Sequence, residues 1–324
     1  ERHYDDFGEH LRALYRAGQP LLVLCAAGIV IRSLAALLAE KGAEPPVLAL
    51  AEDGSAVVPL LGGLAGVNRL AREIAAHLGV TPAITTSGEL RFGTCLLEPP
   101  AGYALADLQQ GKRFVSDLLG GESVRIEGEA PWLEAAQLPV DKTASRVIHV
   151  TAEQRPPRAD ELLIHPRCAA ALIERPGADL SARLQQALSD ANLAPQALAV
   201  LLADKSWMAN AELHATAAEL KLPLRFIHST SELPPEHHAS DGLRLLLSEQ
   251  PLDIERLGQR RGRLSVVGLG PGAAEHMTPA VRRALDEAED LLGYDTYVKM
   301  AGPLRADQCV HPSDNREELQ LSLI

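Results

Sequence analysis

The residues best suited to shape a ligand site form one short loop near the carboxyl end. Gly268, Gly270, Pro271 and Gly272 follow directly after the strand-like run 263–267. Glycines after a strand let the backbone approach a ligand that side chains would exclude, so this pattern predicts a strand that runs into a ligand-binding loop. A tight strand-end turn without a ligand is the alternative for a lone glycine motif.

The spacing of these glycines differs from the two common phosphate-binding motifs. A dinucleotide fingerprint reads Gly-x-Gly-x-x-Gly and opens directly into a helix. Here the third glycine comes one residue early, and the chain has no Gly-Lys-Ser/Thr element for a P-loop. Thr278 and Pro279 instead predict an N-cap and a first helical position, followed by a helix over 280–292.

The first 88 residues alternate short apolar runs with amphipathic segments, a pattern typical of parallel strands joined by helices. Glu52 and Asp53 lie in a predicted solvated turn and are not interpreted as an acid/base pair. The predicted strands are 21–25, 46–50, 56–61 and 83–86, and the predicted helices are 29–41, which stops at Gly42, and 68–78, which stops at Gly79.

Residues 89–132 are richer in glycine and contain a Pro-Pro pair, a composition that predicts a small separate unit. A run rich in proline and arginine, 155–158, predicts a linker, and residue 162 is expected to open a new α/β block. Residues 229–240 are polar and rich in proline and histidine, and predict a loop and linker. The elements predicted here are helices 104–119, 180–191 and 209–220 and strands 146–151, 198–203 and 224–227.

Composition narrows the class of protein. The formal charge is −12, which argues against nucleic acid as a partner because binding of phosphates requires clustered cations. Only 11 of 324 residues are aromatic, so few side chains are available to stack on bases. The four cysteines lie far apart without a Cys-x-x-Cys pair, so a reducing, cytoplasmic setting is expected. His165 and Cys168 have the spacing of metal ligands, but no second pair completes a site, and we expect no metal. The longest apolar run, 20–31, is too short to span a bilayer, so no membrane partner is expected.

A resemblance to a known family covers residues 263–300. They closely resemble the amino-terminal segment of the tetrapyrrole methyltransferases of cobalamin biosynthesis, above all precorrin-3B C(17)-methyltransferase, and residues 314–318 are similar to that enzyme as well. The resemblance implies S-adenosyl-L-methionine as cofactor, the tetrapyrrole precorrin-3B as substrate, and methylation at C-17 with ring contraction. The shared motif consists of Gly268, Gly270, Pro271 and Gly272, implied to bind the cofactor, then Thr278-Pro279, and then Gly293-Tyr294. Tyr294 and Tyr297 are candidates to line the tetrapyrrole side, with packing in the core as the alternative.

Methyl transfer of this kind requires few reactive side chains. The sulfonium donor is already activated, so the protein mainly holds donor and acceptor in line and excludes water. The sequence identifies no catalytic residue, and none is required by this mechanism. The family's later Gly-Asp-Pro element does not occur within residues 262–324. We therefore expect an incomplete methyltransferase domain that is inactive by itself.

A second resemblance covers the first 250 residues. Blocks at 24–32, 59–63, 66–71 and 82–86 resemble, in order, the amino-terminal domain of the cobalamin biosynthesis protein CbiG, and the chain begins at Glu1, so we expect the start of that domain to be missing. Residues 92–132 are similar to the family's middle region, and 162–233 are more loosely similar to its carboxy-terminal domain. Members of the anaerobic route are cobalt-precorrin-5A hydrolases, which open a ring lactone and release acetaldehyde. The resemblance implies a corrinoid ligand near Gly62, Gly63 and Asn68.

One departure from this family bears on hydrolysis. Leu64 stands where the family usually has a histidine, and leucine can neither activate water nor protonate a leaving oxygen. Residues 164–168 also lack the glycines of the family's Gly-x-Gly-Cys-Arg-like turn. We expect a corrinoid-binding module that has lost hydrolysis. An active hydrolase and a purely non-catalytic interaction module are the alternatives.

Together, these observations predict an α/β protein with several small Rossmann-like three-layer domains, mainly parallel sheets and an incomplete tetrapyrrole-methyltransferase α/β domain. The predicted divisions are 1–88, 89–150, 159–250 and 262–324, the first three CbiG-like and the last methyltransferase-like. A homodimer is compatible with the sequence, which does not fix the oligomeric state.

Overall fold

Apolar runs rich in valine, leucine and isoleucine form most of the strands, because β-branched and large side chains pack well on a pleated, buried surface. The computed structural model describes residues 4–39, 44–227, 233–270, 274–306 and 308–313. The strands within these residues are β1 (Leu21–Leu24), β2 (Val47–Leu50), β3 (Val57–Leu61), β4 (Tyr103–Leu105), β5 (Val124–Glu127), β6 (Arg146–Val150), β7 (Glu161–Pro166), β8 (Ala169–Ile173), β9 (Leu198–Asp204), β10 (Leu224–Ile227), β11 (Glu236–Ser240), β12 (Leu243–Leu247), β13 (Asp290–Tyr294) and β14 (Cys309–Ser313).

Amphipathic segments between these strands form the helices. The chain separates after Arg260 into an N-terminal unit, residues 1–260, and a C-terminal unit, residues 261–324. The α-helices within the described residues are α1 (Phe7–Arg16), α2 (Ala27–Leu34), α3 (Val67–Leu78), α4 (Ser87–Phe92), α5 (Leu108–Leu119), α6 (Pro131–Glu134), α7 (Leu180–Asp190), α8 (Ala211–Leu220), α9 (Pro279–Glu287) and α10 (Asp295–Met300). None of these helices is both long enough and apolar enough to cross a membrane.

The first sheet of the N-terminal unit has the order β1-β2-β3, with β1 and β2 parallel and β3 antiparallel. Helices α1 and α2 cover one face around Val23 and Val47, and α3 covers the other face around Leu48 and Val57. This is the three-layer arrangement expected from the alternation of strands and helices. It places the glycine segment 62–66 between β3 and the start of α3.

The second sheet has the order β4-β7-β6-β5, with β5, β6 and β7 parallel and β4 antiparallel. Its core contains Phe92, Phe114 and Leu133 from helices α4, α5 and α6. The proline-rich stretch 155–158 connects β6 to β7, which are adjacent strands of this sheet.

The third sheet has the order β10-β9-β8-β12-β11, with a parallel part followed by two antiparallel strands. Helices α7 and α8 cover one face, and the segment around Leu252, Ile254 and Leu257 covers the other. The C-terminal unit contains a two-stranded parallel sheet of β13 and β14, with Leu285 and Leu291 in its core. The fold class expected from the sequence, α/β with mainly parallel sheets, is confirmed.

Several predicted elements differ in the structure. The α-helix expected over 29–41 ends at Leu34 and continues only as a short 3₁₀ turn, Ala35–Leu37, while its predicted stop at Gly42 lies outside the described residues. The strand expected over 83–86 was wrong, since this segment makes a bond from the Ala83 N–H to the Val57 carbonyl and then enters α4. The helix expected from residue 104 begins at Leu108, where the Asp107 carboxylate caps it.

Two further differences arise where tertiary pairing overrides local sequence character. The polar stretch expected as a linker over 229–240 contains strand β11, which pairs with β12 through backbone hydrogen bonds that do not depend on side-chain polarity. The helix expected over 280–292 ends at Glu287, because Leu291 is buried in strand β13 of the C-terminal core. The similar tail 314–318 lies outside the described residues.

Candidate functional site

The glycine loop of the C-terminal unit borders a pocket of about 420 Å³. Gly268 and Gly270 line it, so the structure brings together two of the four residues predicted to hold the cofactor. Pro271 and Gly272 lie outside the described residues. The remaining lining is Val267, Leu269, Leu285, Leu291, Leu292, Gly293, Tyr297, Val298 and Ala301.

Three elements hold the walls of this pocket in place. Helix α9 begins where the Thr278 hydroxyl accepts a hydrogen bond from the Val281 N–H at 3.3 Å, with Pro279 at the first helical position, as the sequence predicted. Strand β13 contributes Leu291 and Gly293, and α10 follows it directly. A Cβ on Gly293 would lie 3.3 Å from Val298 Cγ2, a close approach that favours glycine there.

The loop leaves open space beside Gly268. A Cβ built on Gly268 would meet no atom within 4 Å, and Gly270 adopts φ +70°, a left-handed conformation that favours glycine. The lining side chains are apolar apart from the Tyr297 hydroxyl, and the loop adds backbone N–H and C=O groups. Such a pocket suits a small ligand with apolar parts that is oriented by a few hydrogen bonds.

The run 263–267 before this loop was predicted as a strand and is not one. Its backbone pairs with no other strand in the described part of the chain, and Val266 is 92% exposed. An apolar extended run forms a strand only where a neighbouring strand accepts its backbone hydrogen bonds.

Tyr294 and Tyr297 form an edge-to-face pair with ring centroids 5.8 Å apart. Tyr297 borders the pocket, whereas Tyr294 is 40% exposed and does not. An exposed aromatic pair beside a glycine-lined pocket offers an apolar surface to a flat ligand. Sequence reasoning placed Gly293 in the family motif without a role and did not select Leu285, because a core leucine carries no local signal of a pocket.

In the N-terminal unit, the predicted substrate residues surround the start of α3. Gly62 has φ +81°, and a Cβ on it would lie 2.5 Å from the Pro45 carbonyl oxygen, so glycine is required by the backbone. Gly63 faces open space. Leu64, at the position that bears on hydrolysis, is 44% exposed in the short 3₁₀ turn Gly63–Ala65.

Asn68 is buried and makes its contacts inside the protein. Its Nδ2 donates to Thr86 Oγ1 at 2.9 Å and to Glu89 Oε1 at 2.6 Å. Glu89 is also buried and forms an ion pair with Arg72. Asn68 therefore orients a buried carboxylate from the first turn of α3.

Two more ionisable groups border this network. Burial raises the pKa of Glu98, and the charge of Glu89 raises it further against the opposing effects of Arg69 and Arg72. Burial also raises the pKa of the Cys95 thiol, with the charge of Glu89 as the next cause. Sequence reasoning missed Arg72, Glu89 and Glu98, for which the only local signal was the i, i+4 spacing of Asn68 and Arg72 on one helix face.

His165 and Cys168, considered as metal ligands from their spacing, lie in and just after β7. His165 Nδ1 lies 2.7 Å from the Thr151 carbonyl oxygen, and burial lowers the pKa of this imidazole. Burial raises the pKa of the Cys168 thiol, which lines a pocket of about 280 Å³. The described residues contain no group of three or more His, Cys, Asp or Glu that could hold a metal ion.

Comparisons with known proteins match the N-terminal segment and a methyltransferase-like segment of the chain to proteins of cobalamin biosynthesis. The family model described as Cobalamin synthesis G N-terminal matches residues 9–89. The chain is 33% identical over 82 residues to a cobalt-precorrin-5A hydrolase of Priestia megaterium, which is 25% of this chain and 22% of that protein. It is 48% identical over 58 residues to a precorrin-3B C(17)-methyltransferase of a Sinorhizobium species, which is 18% of this chain and 22% of that protein.

The chain is a fusion of CbiG-like and cobalamin-pathway methyltransferase-like regions. Both resemblances inferred from the motifs are confirmed within the matched segments. The matched segments of the fusion protein span about a fifth of each of these two relatives. A solved cobalamin biosynthesis protein G homologue from Sulfolobus solfataricus aligns with 71% of the fusion protein and 71% of its own chain, at TM-score 0.31 and 17% identity, values too low to support an inference about function.

Proposed function

We propose that the fusion protein acts in corrin-ring biosynthesis as a methyltransferase with an attached corrinoid-binding module. In its natural full length it would transfer a methyl group from S-adenosyl-L-methionine to C-17 of precorrin-3B, with contraction of the ring. The CbiG-like region would bind a tetrapyrrole without hydrolysing it. Binding of one intermediate next to the methyltransferase would raise its local concentration.

The pocket that Gly268 and Gly270 line is the observation that carries this proposal. The motif glycines selected from the sequence border a pocket of about 420 Å³, which lies in the range typical of small-molecule sites. The open space on the Cβ side of Gly268 supports the view that a ligand approaches the backbone there.

The residues of the pocket fit such a cofactor in part. Apolar walls from Leu269 and Leu291 suit its adenine ring and the carbons attached to its sulfonium, and loop backbone groups would hydrogen-bond its polar atoms. Bound there, S-adenosyl-L-methionine would supply an activated methyl group. Tyr297 and the glycine loop would exclude water and orient the acceptor, so no acid, base or metal is needed.

Binding to residues 1–324 tests the cofactor assignment. We expect S-adenosyl-L-methionine, but not NAD, to raise the melting temperature, and Gly268→Val to abolish this shift because its side chain enters the pocket. Gly262→Val is the matched control, because a Cβ on Gly262 also meets no atom within 4 Å and Gly262 does not line the pocket. A shift that persists unchanged in Gly268→Val would refute the site.

Turnover is tested on the natural full-length protein with precorrin-3B and S-adenosyl-L-methionine. The expected product has gained one methyl group and a contracted ring, which mass spectrometry and absorbance spectra detect. Consumption of neither substrate would refute the methyltransferase assignment.

The proposed loss of hydrolysis rests on Leu64, which presents an exposed alkyl side chain where an imidazole would serve a hydrolase. We expect no acetaldehyde from cobalt-precorrin-5A. Acetaldehyde release by the unaltered protein would instead establish the alternative, an active hydrolase. Leu64→His restores the family's residue, and its gain of activity would identify this position as the cause of the loss.

A further inference from the structure

At the start of α3, charged side chains of both signs lie close to Gly66. Arg69 and Arg72 lie three residues apart and so share one face of this helix. Their side chains are 63% and 48% exposed. Gly66 has φ +93°, and a Cβ there would lie 2.8 Å from Glu98 Oε1 and 3.1 Å from Arg69 Nη2. The carboxyl and guanidinium groups therefore converge on space that only glycine leaves open.

The two arginines are held in different ways. Arg72 is fixed by Glu89, whose side chain is only 1% exposed and is itself oriented by Asn68. Arg69 is more weakly engaged, with its Nε 3.9 Å from Glu98 Oε1 and its Nη1 3.1 Å from the exposed Glu73. Arg69 can thus exchange partners at little cost, since exposed ion pairs contribute little to stability.

We propose that Arg69 and Arg72 together bind a carboxylate side chain of an acidic ligand, and that Glu98 competes with this carboxylate for Arg69. The inference rests on the proposed function, in which the CbiG-like region binds a tetrapyrrole that carries several carboxylates. It adds the residues that recognise one of these carboxylates and a dependence of binding on pH.

The dependence on pH follows from the groups that face Glu98. These are Arg69 and Arg72 on α3, Glu89 on α4, and Cys95 on its own loop. Above its raised pKa, Glu98 is anionic, occupies Arg69 and repels an anionic ligand. As pH falls through that pKa, Glu98 becomes neutral and releases Arg69, so affinity rises. Removal of one unit charge about 5 Å from a surface carboxylate changes affinity by about fivefold.

Fluorescence titration of residues 1–324 with uroporphyrin, a porphyrin with eight carboxylates, tests the proposal over a pH series that starts at pH 8 and descends through the pKa of Glu98. We expect tighter binding below this pKa than at pH 8. Glu98→Gln should bind about fivefold more tightly at pH 8 and lose most of the dependence on pH, because its neutral side chain mimics the protonated state. Arg69→Gln and Arg72→Gln should each weaken binding, whereas the exposed control Arg256→Gln should not.

The outcomes separate this inference from the proposed function. If the unaltered protein binds uroporphyrin and Arg69→Gln binds equally well, the carboxylate site is wrong while tetrapyrrole binding stands. If the unaltered protein does not bind at any pH, the binding function itself fails and this inference fails with it. Circular dichroism checks folding, and Arg69→Gln carries the test if Arg72→Gln does not fold, because Arg72 pairs with a buried carboxylate and Arg69 does not.

Discussion

Glu161 offers the sharpest test of how electrostatics stabilise the second sheet of the fusion protein. It begins strand β7, and its side chain is only 3% exposed. Its Oε2 accepts hydrogen bonds from Arg155 Nη1 at 2.8 Å and from the Arg158 N–H at 3.1 Å. Its Oε1 lies 3.1 Å from His149 Nδ1. The carboxylate thereby attaches the connection between β6 and β7 to the first residue of β7, a central strand of the sheet.

Its pKa sets the size of the effect. Burial raises the pKa of Glu161, but hydrogen bonds from Arg155 and Arg158 and the charges of Arg155 and His149 outweigh burial and lower it to about 2. An unfolded glutamate titrates near 4.3. The difference corresponds to about 3 kcal/mol of stability at neutral pH. Because the folded-state pKa is the lower one, this contribution is fully present above pH ~4.3 and declines as pH falls towards 2.

Glu161→Gln removes the charge and retains the shape. We expect the free energy of unfolding to fall by about 3 kcal/mol at pH 7, and the gap to the unaltered protein to shrink by roughly half at pH 3. The free energy of unfolding is measured by urea unfolding, followed through the fluorescence of Trp132, which packs against the core of this sheet. A Trp207→Phe background removes the other tryptophan. The exposed Glu134→Gln serves as control. A gap that stays constant between pH 7 and pH 3 would refute the electrostatic reasoning.

Three further predictions concern backbone geometry, capping and thiol access. Gly62→Ala should lower the melting temperature by several degrees, because its Cβ would lie 2.5 Å from the Pro45 carbonyl oxygen, whereas Gly63→Ala should not, since its Cβ meets no atom within 4 Å. Thr278→Ala should destabilise α9 by about 1 kcal/mol and speed hydrogen exchange at the Val281 amide, and Thr278→Ser should preserve both. A disulfide reagent should modify the exposed Cys309 before Cys95 and Cys168, since burial raises the pKa of the Cys95 and Cys168 thiols and shields them; equal rates at these three thiols in the folded protein would contradict this.

Local sequence determined the elements whose signals lie within a few residues. Gly79 ends α3 in a left-handed conformation, and Thr278-Pro279 begins α9, because both signals act on neighbouring backbone groups. The apolar runs that became β1, β9 and β10 were long or regular enough to predict their strands. The motif of Gly268 and Gly270 likewise indicated the pocket and the resemblance to methyltransferases, because glycine spacing determines where the backbone can adopt open or left-handed conformations.

Tertiary structure decided what depends on distant partners. Strand β11 is polar and forms because β12 lies beside it, whereas the run 263–267, despite Leu264, Val266 and Val267, forms no strand within the described residues. The network around Asn68 joins α3, α4 and the loop that carries Glu98, over a span of thirty residues without periodicity. Backbone hydrogen bonds and charge pairs act through space, so the sequence supplied these groups, and only the folded chain determined which of them meet.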